Sequence, residues 1–189
     1  DLAIDMQGAA IETCHRKYVP ELNGRLEAIH GDATKVDIAP DSVDFIVINE
    51  THVMEFTGRL TEEDARFFAA VVDRLKPGGF LVWGNAIPDP TWQLCFDHLK
   101  SIGMVEIQVR DVTEEAVLAR DLDEPRAEAY VKQCLDKFPA FRVPVIGPRR
   151  AKEAGQALRN FFRHPGTRLY EKMIDGTDSY KVVCFQKPA

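Results

Sequence analysis

The order of apolar runs, helical periodicities and turn signals over residues 2 to 110 leaves few folds open. Leu2-Ala3-Ile4-Asp5 is an apolar strand that ends on a carboxylate. A helical stretch over about residues 8 to 18 then places Ile11, Cys14 and Tyr18 on one side. Leu26 to Ile29 reads as a short strand, Gly31-Asp32-Ala33 as a turn, and Asp44 to Ile48 as a further strand. Thr61 and Asp64 make a capping-box-like start to a helix whose inner stripe is Phe68, Val71, Val72 and Leu75. Pro77-Gly78-Gly79 ends that helix, and Phe80 to Trp83 is the next strand. Asp89-Pro90 opens another helix with Trp92, Cys95, Phe96, Leu99 and Ile102 inward; Gly103 closes it before a strand from Met104 to Arg110. Strands alternating with helices predict an α/β fold, a mostly parallel sheet with helices on both faces.

After Arg110 that rhythm stops. Residues 113 to about 164 read as helices broken by a loop from Pro139 to Pro148. One helix is expected from Glu124-Pro125, burying Ala127, Tyr130, Val131, Cys134 and Phe138; another from Pro148, burying Ala151, Ala154, Leu158, Phe161 and Phe162. Tyr180 to Phe185 is the final strand. The organisation expected is a core over residues 1–110, a helical insertion over 111–178 and a returning core strand over 179–189.

Composition narrows the function classes. With 45% hydrophobic residues, a chain of 189 residues has material for one sizeable core. No run of about eighteen apolar residues occurs, so no membrane-spanning helix is expected. Cys14, Cys95, Cys134 and Cys184 form no Cys-x-x-Cys pair, and three fall on apolar helix stripes, as reduced structural thiols of a cytoplasmic protein would. The histidines show no metal-ligand spacing, and no metal is assigned. A net charge of −6 argues against a nucleic-acid partner. The charge is uneven: residues 142–172 carry eight Lys and Arg against Glu153 and Glu171, a net of +6, which leaves −12 for the rest.

The succession of Asp5, the helix after it, Gly31-Asp32-Ala33, the turn Asp41-Ser42-Val43-Asp44 with its strand, and Leu75-Lys76-Pro77-Gly78-Gly79 resembles the class I, Rossmann-like S-adenosylmethionine-dependent methyltransferases. The resemblance covers residues 2 to about 110 well and the last strand loosely. It implies S-adenosylmethionine as cofactor, S-adenosylhomocysteine as product, an antiparallel last strand, and a helical insertion that serves as a substrate lid. In the family a central strand running into a Gly-x-Gly loop precedes the carboxylate-ended strand, and no such segment occurs here. The sequence is therefore expected to be the downstream part of a longer polypeptide whose upstream residues fill that place.

Candidate site residues follow. A carboxylate at a strand's C-terminal end suits a ribose, whose two hydroxyls it can accept, so Asp5 is a cofactor candidate with Met6 packing on the purine. Asp5 also reads as a helix N-cap, and nicotinamide-binding folds use an acid here too. By resemblance, Asp32 accepts from the adenine amino group and the Ala33 N–H meets a ring nitrogen. The resemblance likewise sets Asn49 and Glu50 beside the cofactor's amino-acid end or the substrate. His52, with an ordinary pKa of about 6.5, is a candidate general base, the alternative being a loop histidine without chemical role. Arg149, Lys152, Arg159 and Arg163 share one quarter of a helix circumference; they read either as a solvated basic face or as a site for an anionic acceptor.

The function these features point to is methyl transfer from S-adenosylmethionine to a small organic acceptor of secondary or cofactor metabolism, in a lidded pocket. The rivals are a catalytically silent methyltransferase-like binding protein, favoured by the missing glycine loop, and a nicotinamide-dependent oxidoreductase, disfavoured by Gly31-Asp32-Ala33. Oligomeric state, acceptor identity and the methylated atom are not legible.

Overall fold

The computed structural model describes residues 1–50, 59–138 and 147–189. Strand β1 (Leu2–Asp5) leads into helix α1 (Gly8–Thr13), which continues through a π-helical stretch (Cys14–Tyr18) into the short α2 (Val19–Glu21). Strand β2 (Glu27–His30) pairs parallel with β1, with Asp5 opposite His30. Strand β3 (Val43–Asn49) pairs parallel with β4 (Leu75–Pro88), with helix α3 (Glu62–Arg74) between them in sequence. Helix α4 (Asp89–Ser101) and strand β5 (Val105–Asp111) follow. Helices α5 (Thr113–Lys137), α6 (Gly147–Phe161) and α7 (Arg168–Ile174) precede the last strand, β6 (Asp178–Gln186). β6 runs antiparallel between β4 and β5.

The strands form two sheets, β1-β2 and β3-β4-β6-β5, where one was expected. Among the described residues β1 pairs only with β2 and β3 only with β4. The larger sheet is mixed, with β3 and β4 parallel and β6 antiparallel to both its neighbours, in a Rossmann-like strand succession. On the face of β3 that carries Phe45 and Val47, those side chains are 54% and 63% exposed.

The opposite face holds the core. Thr61 and Asp64 complete the expected capping box: Thr61 N–H donates to Asp64 Oδ2 at 2.7 Å and Asp64 N–H to Thr61 Oγ1 at 3.2 Å. The helix so started lays Phe68, Val71 and Val72 on the sheet, where they meet Ile48, Leu81 and Trp83. From α4 come Trp92, Cys95, Phe96 and Leu99, and the Trp83 and Trp92 rings stand 4.5 Å apart.

The insertion departs from its expected form. Pro125 does not start a helix; it sits inside the 25-residue α5. Proline lacks an N–H and normally ends a helix interior, and here the helix continues through it. Val131 is fully buried as expected, whereas Tyr130 (51%) and Phe138 (57%) are exposed. On α6, Phe161 is 74% exposed, and the buried contact belongs to Gly155, where an added Cβ would meet Arg159 Nη1 at 3.1 Å and the Leu135 side chain at 3.3 Å. Of the expected stripe, Ala151, Ala154, Leu158 and Phe162 are partly buried and Phe161 turns outward, while α6 meets α5 at Gly155. No helix among the described residues is long and apolar enough to cross a membrane.

Candidate active site

Parallel pairing brings the C-terminal ends of β1 and β2 together, so Asp5 and the Gly31–Ala33 turn share one edge. Asp5 Oδ1 accepts the Gln7 N–H at 2.7 Å. That is the local turn bond of a short carboxylate ahead of a helix, although the N-cap proper is Gln7, whose side chain makes no cap bond. Met6 beside it is 69% exposed. Asp32 Oδ1 accepts both the N–H (2.9 Å) and the hydroxyl (2.7 Å) of Thr34, and its Oδ2 lies 2.9 Å from Lys35 Nζ. Those hydrogen bonds hold the Asp32 carboxyl well below the usual carboxylate range, so it is an acceptor at any working pH.

The C-terminal end of β3 carries Asn49 and Glu50. Asn49 stands opposite Gly84, and a Cβ there would come within 3.0 Å of Asn49 Oδ1, so glycine is what lets the two strand ends approach. Glu50 takes the left-handed backbone (φ +50°) while its N–H donates to Gly84 O at 2.9 Å. A non-glycine residue in that region is uncommon. Its carboxylate pairs at 3.2 Å with Arg120 of α5.

Two further residues join this edge without having been singled out in the sequence. Tyr180, half-buried at the start of β6, donates its hydroxyl to Asn49 Oδ1 at 3.3 Å. Burial, and then the nearby Glu50 carboxylate, push its phenol well above the ordinary tyrosine value, so it stays an O–H donor. The signal was available: an antiparallel strand that closes an otherwise parallel pair starts at the carboxyl edge, so its first residues face the site. Arg120 carries no such signal, being one arginine on a long charged helix.

A cavity of about 360 Å³ opens between α5 and the segment after α6, lined by Arg120, Ala127, Tyr130, Phe162, His164 and Pro165. Arg120 is thus both a wall of the cavity and the partner of Glu50. The Tyr130 and Phe162 rings meet edge to face at 5.6 Å.

The four cations expected on one basic face are placed differently from one another. Arg149 pairs with Glu153 within its own helix, and Arg159 makes a bidentate pair with Glu128 of α5. Arg163 lies buried, donating to Ala86 O (2.9 Å) and Leu169 O (3.2 Å) and standing 3.6 Å from the fully buried Asp178. Lys152 is exposed. His52 lies outside the described residues. No cluster of His, Cys, Asp or Glu with metal-binding geometry occurs among the described residues.

Comparison with known proteins agrees with this geometry. Residues 2–83 match the family described as "Methyltransferase domain". That match, with the strand succession, makes residues 2–83 similar to methyltransferase domains of the Rossmann-like kind. A relative, the phthiotriol/phenolphthiotriol dimycocerosates methyltransferase of Mycobacterium leprae, is 24% identical over 97% of the chain. Its Mycobacterium tuberculosis counterpart is 23% identical over the same share. The chain spans 59% of the length of either relative. Among solved structures, a sarcosine dimethylglycine methyltransferase from Galdieria sulphuraria superposes with a TM-score of 0.67 at 12% identity, over 99% of this chain and 69% of that one. Geranyl diphosphate C-methyltransferase from Streptomyces coelicolor, solved with S-adenosylhomocysteine, gives 0.62 at 12% identity over 98% and 64%. At these identities the superpositions speak for the fold.

Proposed function

We propose that this chain belongs to an enzyme that transfers a methyl group from S-adenosylmethionine to a small organic acceptor. The observation that carries the reading is the shared edge of β1 and β2. It presents Asp5 and the Asp32-Ala33 turn at the carboxyl ends of parallel strands, where open α/β sheets bind ligands. The residues present fit a nucleoside. Asp5 keeps Oδ2 for a ribose hydroxyl while Oδ1 holds Gln7, and the exposed Met6 offers an apolar surface for the base. Asp32 would take the adenine amino group on Oδ2 by giving up an 81% exposed lysine, a pairing worth little in water. Complexes of related folds with S-adenosylhomocysteine support the same choice of cofactor.

When bound, the sulfonium supplies an activated methyl group that leaves by in-line displacement. The chain's own residues then have positioning work. Asn49 and Glu50 would face the cofactor's amino-acid end or the acceptor, with Tyr180 holding Asn49 by its O–H. Residues 111–178 would form the lid over the core of 1–110 and 179–189, and the cavity at Arg120, Tyr130 and Phe162 would receive the acceptor. His52 remains the candidate proton acceptor. For an anionic acceptor, Arg149, Arg159 and Arg163 would have to leave their own partners, and so would Arg120 and Arg126 at the cavity, which pair with Glu50 and Asp123; Lys152 stays exposed. We place the protein in the cytoplasm, in secondary metabolism. Titration of S-adenosylmethionine into the full-length protein tests the reading. Saturable binding supports it, and binding of a nicotinamide dinucleotide instead would replace it with the oxidoreductase. Cofactor binding without turnover on any acceptor would favour the silent binding protein.

A further inference from the structure

We infer that Arg74 is a positioning residue for base recognition: its guanidinium fixes the turn at Asp32-Ala33 in the place from which it reads adenine. The inference rests on the methyltransferase reading for the identity of the ligand. Its structural basis is independent of that reading.

The loop between β2 and β3 belongs to the small sheet at one end and the large sheet at the other, and the two sheets share no strand pairing. Within the loop the Asp32 bonds are local, to Thr34 and Lys35, and say nothing about where the turn sits relative to the rest of the molecule. Arg74 supplies that information. It is the last residue of α3, whose apolar face is seated in the core, and it is only 9% exposed. Its Nη1 donates to Ala33 O and its Nη2 to Val36 O at 2.9 Å, across 41 and 38 residues of sequence. Nearby, Ser42 N–H donates to Arg74 O at 3.0 Å, so the same residue holds both the turn and the loop's exit.

A planar fork that grips two carbonyls three residues apart sets orientation as well as position. The Ala33 carbonyl and the Asp32 and Ala33 N–H groups belong to neighbouring peptide planes. Tilting the turn would therefore swing both the Asp32 carboxylate and the Ala33 N–H away from a base. An aliphatic side chain at residue 74 would leave two carbonyls without that donor and the turn tied only through its ends. Base discrimination is then what Arg74 sustains, because telling one purine from another depends on where donors and acceptors stand. Ribose binding at Asp5 is on another loop and does not depend on it.

The test compares S-adenosylhomocysteine with S-inosylhomocysteine, whose 6-oxo group replaces the amino group, by calorimetry on the full-length protein. The parent should prefer the adenine ligand at least tenfold. Arg74→Met should cut that preference below threefold, and Arg74→Lys, whose ammonium reaches one carbonyl, should fall between. A cooperatively melting Arg74→Met protein with the parent's preference overturns the inference. If that variant does not fold, Arg74→Lys decides: an unchanged preference overturns it and a reduced one supports it. If the parent binds neither ligand, the methyltransferase reading fails, and amide exchange at residues 33–36 decides the clamp. Exchange tenfold faster in Arg74→Lys supports it, and unchanged exchange overturns it.

Discussion

Arg120 and Glu50 lie 70 residues apart in sequence, one on the helical insertion and one at the end of a core strand, and meet at 3.2 Å. Both side chains are about a third exposed, so the pair adds little to stability, at most about 1 kcal/mol. Its effect belongs to the site, since Arg120 also walls the cavity and Glu50 spends a left-handed backbone conformation to reach it. Arg120→Ala is expected to leave the melting temperature within about 2 °C of the parent and lower kcat/KM for the acceptor by roughly tenfold or more. Steady-state kinetics beside a thermal melt checks both halves. An unchanged kcat/KM would return the pair to surface chemistry.

Asp178 makes the opposite case. It is fully buried between Lys172, at 3.2 Å, and Arg163, at 3.6 Å. Removing one partner of a buried ionic set strands the others, which typically costs about 3–5 kcal/mol. Asp178→Ala should therefore lower the urea midpoint sharply, and Arg149→Ala, on an exposed i,i+4 pair, should leave it unchanged.

Much of the fold was legible because its signals are local. The Thr61–Asp64 box, the α3 stripe and the Trp92-Cys95-Phe96-Leu99 face all depend on residues within a turn or two of each other. The positions of Asp5 and Asp32 at strand ends were legible for the same reason. What escaped is set by tertiary pairing. Arg163 looks like a surface cation on a helical wheel, yet the chain turns at that residue (φ +51°) and carries its side chain inward to Asp178. Tyr130 and Phe161 read as core by periodicity and are exposed, while α5 and α6 meet at Gly155. Arg74, Arg120 and Tyr180 act through partners 38 to 131 residues away, which no local pattern encodes.

Cys95 predicts a pH effect. Burial, and then the Asp64 carboxylate, push its thiol up to about 12 from an ordinary 9.0. The folded state thus holds the proton more tightly than the unfolded chain. Its contribution is complete below about pH 9 and is lost as pH rises towards 12. Between about pH 9 and 12, Cys95→Ala should therefore lose less stability than the parent does, each measured against its own neutral-pH value. In the native protein at pH 8, Cys95 should resist alkylation that reaches the less buried Cys14 and Cys134. Mass spectrometry of the labelled protein, with prompt modification of Cys95, would contradict the assignment.

The central claim is that the edge of β1 and β2 holds the nucleoside of S-adenosylmethionine, and calorimetry on the full-length protein tests it most directly. S-adenosylhomocysteine should bind saturably. Asp5→Ala should weaken that binding tenfold or more, since charge-assisted hydrogen bonds contribute roughly 1.5–3 kcal/mol each. Asp5→Ala with the affinity of the parent would contradict the account.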